Sequence, residues 1–422
     1  MTSELLYPRS IEHLLRRELL EAFPAVLVVG PRGCGKSTSM GKFADTTLDL
    51  SEPGMRNAAR EDPDGVLASS TGVILIDEWQ EAPEILGAVK RAVDRDFSSQ
   101  AGRFLVTGSV RAAHQAATWP GTGRLMRVRM FGLTQAELER DSSYNPVDTF
   151  FATEPPSFHQ SDLSRPDYLD RIVAGRFPVV VGLEGRNRSR WYRAYVEQLI
   201  DRDAEQVSVR ATRPAKLRAV FGSSVARTAQ ELNKSATAED AGVDYRSADY
   251  YLELLEDLSI VFRVPAWSTN RLKRLTQAPK VHVVDPGMAA YVLGVDAQTL
   301  GTNAALVGQM FETFVAAELV THLETAAEET DIFHLRNRDG MEVDLVLERR
   351  GRVVGLEVKS ATSVSRADAK GLLWLRDRVG SDFRYGAVLY SGGVPFQIDD
   401  RIWALPLSSL WRPPRQSGGG SS

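Results

Sequence analysis

Five apolar residues, Ala25-Val26-Leu27-Val28-Val29, lead directly into Gly30-Pro31-Arg32-Gly33-Cys34-Gly35-Lys36-Ser37-Thr38, and a helical stretch from Ser37 to Ala44 follows. Few folds accept this order. A strand, a glycine-rich turn and a helix in direct succession fit G-x-x-x-x-G-K-[ST] and put the turn at the carboxyl edge of a parallel sheet. Glycines allow backbone N–H groups to turn inward around phosphates, and the following helix aims its positive end at them. Lys36 is expected to reach the β and γ phosphates of ATP, and the Ser37 hydroxyl to ligate Mg²⁺. Cys34 lies inside the loop, where its modification would block nucleotide.

Two further apolar runs belong to the same sheet. Val73 to Ile76 runs into Asp77-Glu78, delivering two carboxylates where ligands bind in open α/β sheets. Asp77 is expected in the Mg²⁺ shell, and Glu78 to orient or deprotonate the attacking water. Arg103 to Ser109 ends in hydroxyls, so Thr107 or Ser109 is placed to sense the γ-phosphate; capping the strand end is the plainer role. Arg124, ahead of Arg127 and Arg129, is the chosen arginine for charge on the transferred phosphoryl, although alternating arginines also suit one solvated strand face.

GPRGCGKST, ILIDEWQEAP, the LVTGS strand and the GTGR segment before FGLTQAEL resemble the bacterial and archaeal AAA+ ATPases whose C-terminal half is a domain of unknown function. The resemblance runs from Pro8 to about Ala404. It implies an ATP-binding AAA+ domain over 1–140, a linker over 141–164 and a helical and winged-helix region over 165–270. Over 271–410 it implies a domain similar to the PD-(D/E)xK nuclease superfamily; the composition of the closing SGGGSS reads the 411–422 tail as a linker scar outside the fold. The resemblance also implies a homo-oligomer. Many AAA+ proteins place Asn at the sensor strand, and this chain departs from them with Thr107 and Ser109.

In the middle block, Ser235 to Pro265 reads as helix, turn, helix and strand, with Tyr251, Leu254, Leu255 and Leu258 at core spacing. The second helix carries Asp244, Asp249, Glu253, Glu256 and Asp257 against Arg246, which phosphates would repel. A structural or protein-contact role is therefore expected. Two basic stretches, Arg186 to Arg193 beside Trp191 and Tyr192, and Arg271 to Lys280, either track a nucleic-acid backbone or form solvated faces.

Further on, Met341 to Glu348 and Val353 to Lys359 alternate around Arg350-Gly351 and read as a hairpin. A two-residue loop sets Asp344 opposite Glu357 and Glu342 opposite Lys359. Met341, Val343, Leu345, Leu347, Val354, Leu356 and Val358 then share an apolar face; a three-residue loop would slip the register. Like charges opposed at about 5 Å are destabilising unless a cation such as Mg²⁺ or Mn²⁺ sits between them. Lys359 would then activate water. Glu312 lies on a helix from Val307 to Leu319, with Val307, Phe311, Phe314, Val315 and Leu319 on its apolar side. The resemblance assigns Glu312, Asp344, Glu357 and Lys359 to the nuclease motif, with Asp344 and Glu357 holding metal; a salt-bridged sheet face is the structural alternative.

Composition narrows the partners. Lys and Arg total 51 against 55 Asp and Glu, a net charge of −4, so nucleic acid can be met only by a local patch. One cysteine excludes a disulfide framework. No signal sequence or membrane-spanning run is recognised, and a cytoplasmic location is expected. The chain as a whole reads as an α/β P-loop ATPase with a Mg²⁺-dependent nuclease-like domain acting on DNA. The alternative is a nucleotide-driven switch that binds a protein or DNA partner without cleavage.

Overall fold

A computed structural model describes residues 6–95, 101–108, 125–152, 158–204, 213–337 and 340–414. Ser109 and Arg124 lie outside the described residues. β1 (Ala25–Val29), β2 (Thr46–Asp49), β3 (Ile74–Asp77), β4 (Phe104–Gly108) and β5 (Leu125–Arg129) form a parallel sheet in the order β2-β3-β4-β1-β5. β1 is buried along its whole length. Its alternate residues feed two cores: Val26 and Val28 join Ile11, Leu15 and Leu19, while Ala25, Leu27 and Val29 face the other layer. There they meet Ile85, Val89, Ala92 and Val93 of the helix Glu84–Arg95. Burial on both faces explains why these strands read as continuous apolar runs.

β4 lies between β1 and β3, so the phosphate-loop strand and the Asp77 strand flank Thr107. The helix after the glycine loop, α1 (Lys36–Met40), spans only five residues. It is shorter than the expected stretch to Ala44.

The middle of the chain is largely helical: α2 (Arg165–Ala174), α3 (Gly185–Gln198), α4 (Pro214–Ala226), α5 (Lys234–Ala241) and α6 (Tyr245–Asp257). β6 (Gln230–Glu231), β7 (Val261–Val264) and β8 (Lys280–Val283) make a small antiparallel sheet ordered β6-β8-β7. The polar stretch after residue 140 is not a free crossing. The helix Pro146–Phe151 buries Val147, Phe150 and Phe151, and Asp148 pairs with Arg349 at 2.6 Å.

The C-terminal sheet has six strands in the order β13-β14-β12-β11-β10-β9, mixing antiparallel and parallel pairs. Its members are β9 (Asp331–Arg336), β10 (Glu342–Arg349), β11 (Arg352–Lys359), β12 (Phe383–Tyr390), β13 (Phe396–Asp399) and β14 (Ile402–Pro406). Arg349 pairs with Arg352, leaving Arg350 and Gly351 as a two-residue turn, both at positive φ as a type I′ hairpin demands. Leu345 pairs with Leu356, the register expected from sequence. The expected apolar face breaks, however, at a bulge between Val343 and Val346. One extra residue there reverses the alternation. Val343 joins Val346 and Val353 in one core, and Leu345 and Leu347 join Val354, Leu356 and Val358 in the other.

α7 (Ala304–Leu323) runs beneath this sheet. By length and composition this 20-residue helix could cross a membrane, yet most of it is buried inside the fold. Contacts with β8, β11, α2 and the helix Pro146–Phe151 surround it, so Glu312, Thr313 and Glu318 are buried along with Phe311 and Phe314. It is therefore not the one-sided amphipathic helix that its spacing suggests. Phe311 is fully buried and Leu272 is 75% exposed. Denaturant unfolding is expected to show Phe311→Ala costing about 3–5 kcal/mol, and Leu272→Ala less than about 0.5 kcal/mol.

Candidate nucleotide site and a buried acid cluster

The glycine loop is shaped by close backbone approach. A Cβ on Gly30 would stand 1.9 Å from the Met130 carbonyl oxygen, so a side chain there is excluded. Gly35 takes φ 100° immediately before α1, in the left-handed region that glycine tolerates. Lys36 is buried, and its ammonium donates to the carbonyl oxygens of Gly30 and Pro31, each at 3.0 Å. The Ser37 hydroxyl donates to Asp77 Oδ1 at 2.9 Å. Thr107 also donates to Asp77 Oδ1, so its hydroxyl is engaged in holding that carboxylate. Glu78 adopts a left-handed backbone with φ 53°, and Gln80 donates its amide to Glu78 Oε2. Thr38 follows Ser37 on α1 and is exposed.

Several groups that sequence reasoning missed hold this loop. Arg9 is buried and donates to the Cys34 carbonyl and the Phe131 carbonyl, both at 2.7 Å, and pairs with Glu137 at 3.1 Å. Arg32 pairs with Asp203 at 2.8 Å, and its carbonyl accepts from the Tyr195 hydroxyl at 2.9 Å. No local pattern flags Arg9, Tyr195 or Asp203, because their partners are remote in the chain. Gln80, two residues after Glu78, was the one with a readable position. Cys34 is fully buried with its thiol donating to the Met130 carbonyl, so it is not the accessible, modifiable thiol considered from sequence.

Glu312, Asp344, Glu357 and Lys359 are drawn into one region, together with a residue not assigned to it. Lys280, at the start of β8, is 2% exposed. Its ammonium lies 2.8 Å from Glu312, 3.1 Å from Glu342 and 3.5 Å from Asp344. Asp344 accepts from the Val358 N–H at 2.8 Å, and Lys359 pairs with Glu357 at 2.7 Å. Lys280 is thus no part of a solvated basic stretch. Arg274 is likewise occupied, pairing with Glu348 at 2.7 Å and covering the Trp267 and Phe333 rings. Tyr192, considered as a stacking platform, is buried and donates to Asp285 at 2.7 Å, and Trp191 packs on Phe177 and Tyr195. Among the described residues no group of three or more His, Cys, Asp or Glu is arranged to hold a metal ion. The expected Mg²⁺ or Mn²⁺ site at Asp344 and Glu357 does not fit this arrangement, because an ammonium already sits among the acids.

The electrostatics follow from burial. Desolvation, then repulsion from Asp344, pushes Glu312 well above the usual carboxylate range, against the pull of Lys280. Burial works against the charge of Lys280, but Glu312, Asp344 and Glu342 outweigh it and hold the ammonium protonated. Burial, then Asp344, raises Glu357 to about 8. His282 is driven well below the ordinary imidazole value by burial and by Lys280.

Residues 22–139 match the model of an AAA domain. Residues 165–299 match a domain of unknown function (DUF8612), and residues 307–410 another (DUF4143). Two uncharacterised proteins, of Mycobacterium tuberculosis and Mycobacterium bovis, are each 28% identical over 406 residues, covering 94% of this chain and 82% of theirs. A Walker-type ATPase of Pyrococcus abyssi aligns with 68% of this chain and 96% of its own at 15% identity, with a TM-score of 0.42. Over residues 22–139 the chain is thus similar to AAA domains, and that stretch holds the parallel sheet whose first strand leads into the glycine loop.

A folded-state pKa of about 8 at Glu357, above the unfolded carboxylate value, makes this group favour the folded state at low pH. That contribution is present below the unfolded value of about 4.3 and is lost as pH rises toward the folded one. Melting temperature is expected to fall across that window, and Glu357→Gln to flatten the fall in a pH series of thermal melts.

Proposed function

We propose that this protein binds and hydrolyses ATP and uses the nucleotide state to control the C-terminal half. The observation that carries the reading is the meeting of Lys36, Ser37, Asp77 and Thr107 at the ends of β1, β3 and β4. Mg²⁺ suits the donor set: Ser37 Oγ and Asp77 Oδ1 are hard oxygens 2.9 Å apart and would hold the ion, which neutralises charge on the phosphates when bound. Lys36 exchanges its two loop carbonyls for β- and γ-phosphate oxygens. Glu78 takes the proton of the attacking water as the γ-phosphorus bond to the bridging oxygen breaks, and Gln80 sets its direction. Thr107 keeps Asp77 in place; Ser109 is left as the sensor. In an assembly of several copies, Arg124 of one copy would complete its neighbour's site. Lys36→Ala is expected to lower ATP affinity at least about tenfold in a calorimetric titration. Glu78→Gln is expected to bind ATP normally while single-turnover hydrolysis falls by about 100-fold or more; hydrolysis at the wild-type rate would refute Glu78 as the base.

For the C-terminal half, DNA is the proposed partner. The Lys280 ammonium among Glu312, Glu342 and Asp344 favours the non-cleaving switch over an open nuclease centre for this conformation. Supercoiled plasmid incubated with Mg²⁺ or Mn²⁺ discriminates the two readings. The switch predicts equal, background nicking by wild type and Asp344→Ala. Nicking lost in Asp344→Ala would restore the nuclease.

A further inference from the structure

The helix α3 has two faces of opposite character. At about 100° per residue, Arg186, Arg190 and Arg193 fall on one side of it and Tyr195 on the other. All three arginines are exposed, and none makes an ion pair among the described residues. Elsewhere in and around the helical region, Arg32, Arg171, Arg176 and Arg218 each meet a carboxylate. Glu197 follows on the same side as the row, and no ion pair joins it to Arg193 among the described residues. Like charges three and four residues apart on a helix repel, so the row weakens α3 rather than holding it. In a chain with a net charge of −4 it is a local exception. Such a row suits a regularly spaced anion.

Seven residues of helix set Arg186 and Arg193 about 10 Å apart along the axis. One strand of duplex DNA carries a phosphate about every 3.4 Å of its own axis, so that span offers about three. Guanidinium groups meet phosphate oxygens in paired hydrogen bonds. Single strands are held in addition by bases stacking on aromatic rings. α3 turns no ring outward: Tyr192 is buried and bonded to Asp285, while Trp191 and Tyr195 stack on each other and pack on Phe177. The row therefore suits a duplex backbone, met without regard to sequence.

We propose that Arg186, Arg190 and Arg193 dock the phosphodiester backbone of duplex DNA, and that α3 passes the docking on to the glycine loop. The proposal rests on the reading of DNA as the partner, and adds a contact in the helical region to the one proposed for the C-terminal half. The inner side of α3 supplies the link. The Tyr195 hydroxyl donates to the Arg32 carbonyl at 2.9 Å. Asp203 ends the turn Leu199–Asp203 that continues α3, and it pairs with Arg32 at 2.8 Å. A displacement of α3 by DNA pulls on a residue of the phosphate loop. By linkage, nucleotide in the loop changes the affinity for DNA by the same factor as DNA changes the affinity for nucleotide.

The docking is tested with the full chain and a short fluorescent duplex, read by anisotropy over a salt series. Without nucleotide, Arg186→Gln, Arg190→Gln and Arg193→Gln combined are expected to weaken binding roughly tenfold or more, and to lower the slope of log affinity against log salt by about 2 to 3. Glutamine keeps the helix propensity, and circular dichroism confirms the fold. A control combining Arg246→Gln, Arg352→Gln and Arg378→Gln removes the same charge from scattered exposed positions, and is expected to leave both quantities unchanged. No duplex binding by the parent would overturn the DNA reading and the row together. Binding that the row variant retains in full, or that the control loses equally, would overturn the row alone. A single strand bound through the row as tightly as the duplex would overturn the duplex assignment. Displacement of the duplex by an equal charge of polyglutamate would overturn it in favour of an acidic protein. For the link, ATP is expected to shift the duplex affinity of Glu78→Gln at least about fivefold, upward or downward, and added Tyr195→Phe to shrink that shift. A shift that Tyr195→Phe leaves unaltered, or no shift although ATP is bound, would overturn the link. Should ATP itself not bind, the link falls with the ATPase reading, and the nucleotide-free data alone decide the docking face.

Discussion

Two carboxylates on one buried helix govern how the parts of this chain meet. Glu312 and Glu318 on α7 are almost wholly removed from water, and a buried charge is tolerated only when it is paired and hydrogen-bonded. Neither finds a cationic partner on its own helix: His322 lies 3.9 Å from Glu318, but burial lowers its imidazole to about 3 and keeps it neutral. Glu312 takes Lys280 from the small antiparallel sheet. Glu318 takes Arg176, between α2 and α3, at 3.4 Å, and the Gln135 N–H at 3.0 Å from the end of the AAA domain. Burial raises Glu318 to about 7 against the pull of Arg176, so the pairing offsets the loss of solvent only in part. Arg176 also donates to the Leu133 carbonyl and to Thr321. One helix thus ties the small antiparallel sheet, the helical region and the segment after the five-stranded sheet together by charges that cannot be left alone.

The phosphate loop is tied in the same way. Arg9 comes from before β1 and bonds the loop at Cys34; Asp203 and Tyr195 come from the helical region and bond it at Arg32. Lys36 is satisfied by the loop's own carbonyls. A triphosphate that recruits Lys36 therefore acts on a loop whose outer face is anchored in another part of the molecule. Under the proposed ATP binding, coupling to the helical region would run through this contact of one ion pair and one hydroxyl.

Local patterns made much of this readable. The apolar runs of β1, β3 and β4, the glycine loop between a strand and a helix, Asp77 and Glu78 at a strand end, and the Arg350-Gly351 turn each follow from rules acting over a few residues. Period and turn chemistry are short-range, so they survive being read one segment at a time. They failed where a neighbour intervened. The bulge after Val343 is set by pairing with β9, and it sends Val343 away from Leu345 despite perfect alternation in sequence. α7 is buried all round because elements from four places enclose it, which its own composition only hints at.

The order of residues by itself determined the parallel sheet, the loop that suits phosphates, and which acids could share a hairpin, since backbone geometry and side-chain alternation are encoded locally. Only the tertiary structure decided that Lys280 lies among those acids, that Thr107 serves Asp77, and that Arg9, Tyr195 and Asp203 hold the glycine loop. The physical reason is range. A buried charge must find an opposite one wherever packing brings it, and that partner can stand more than a hundred residues away with no trace in the sequence around it.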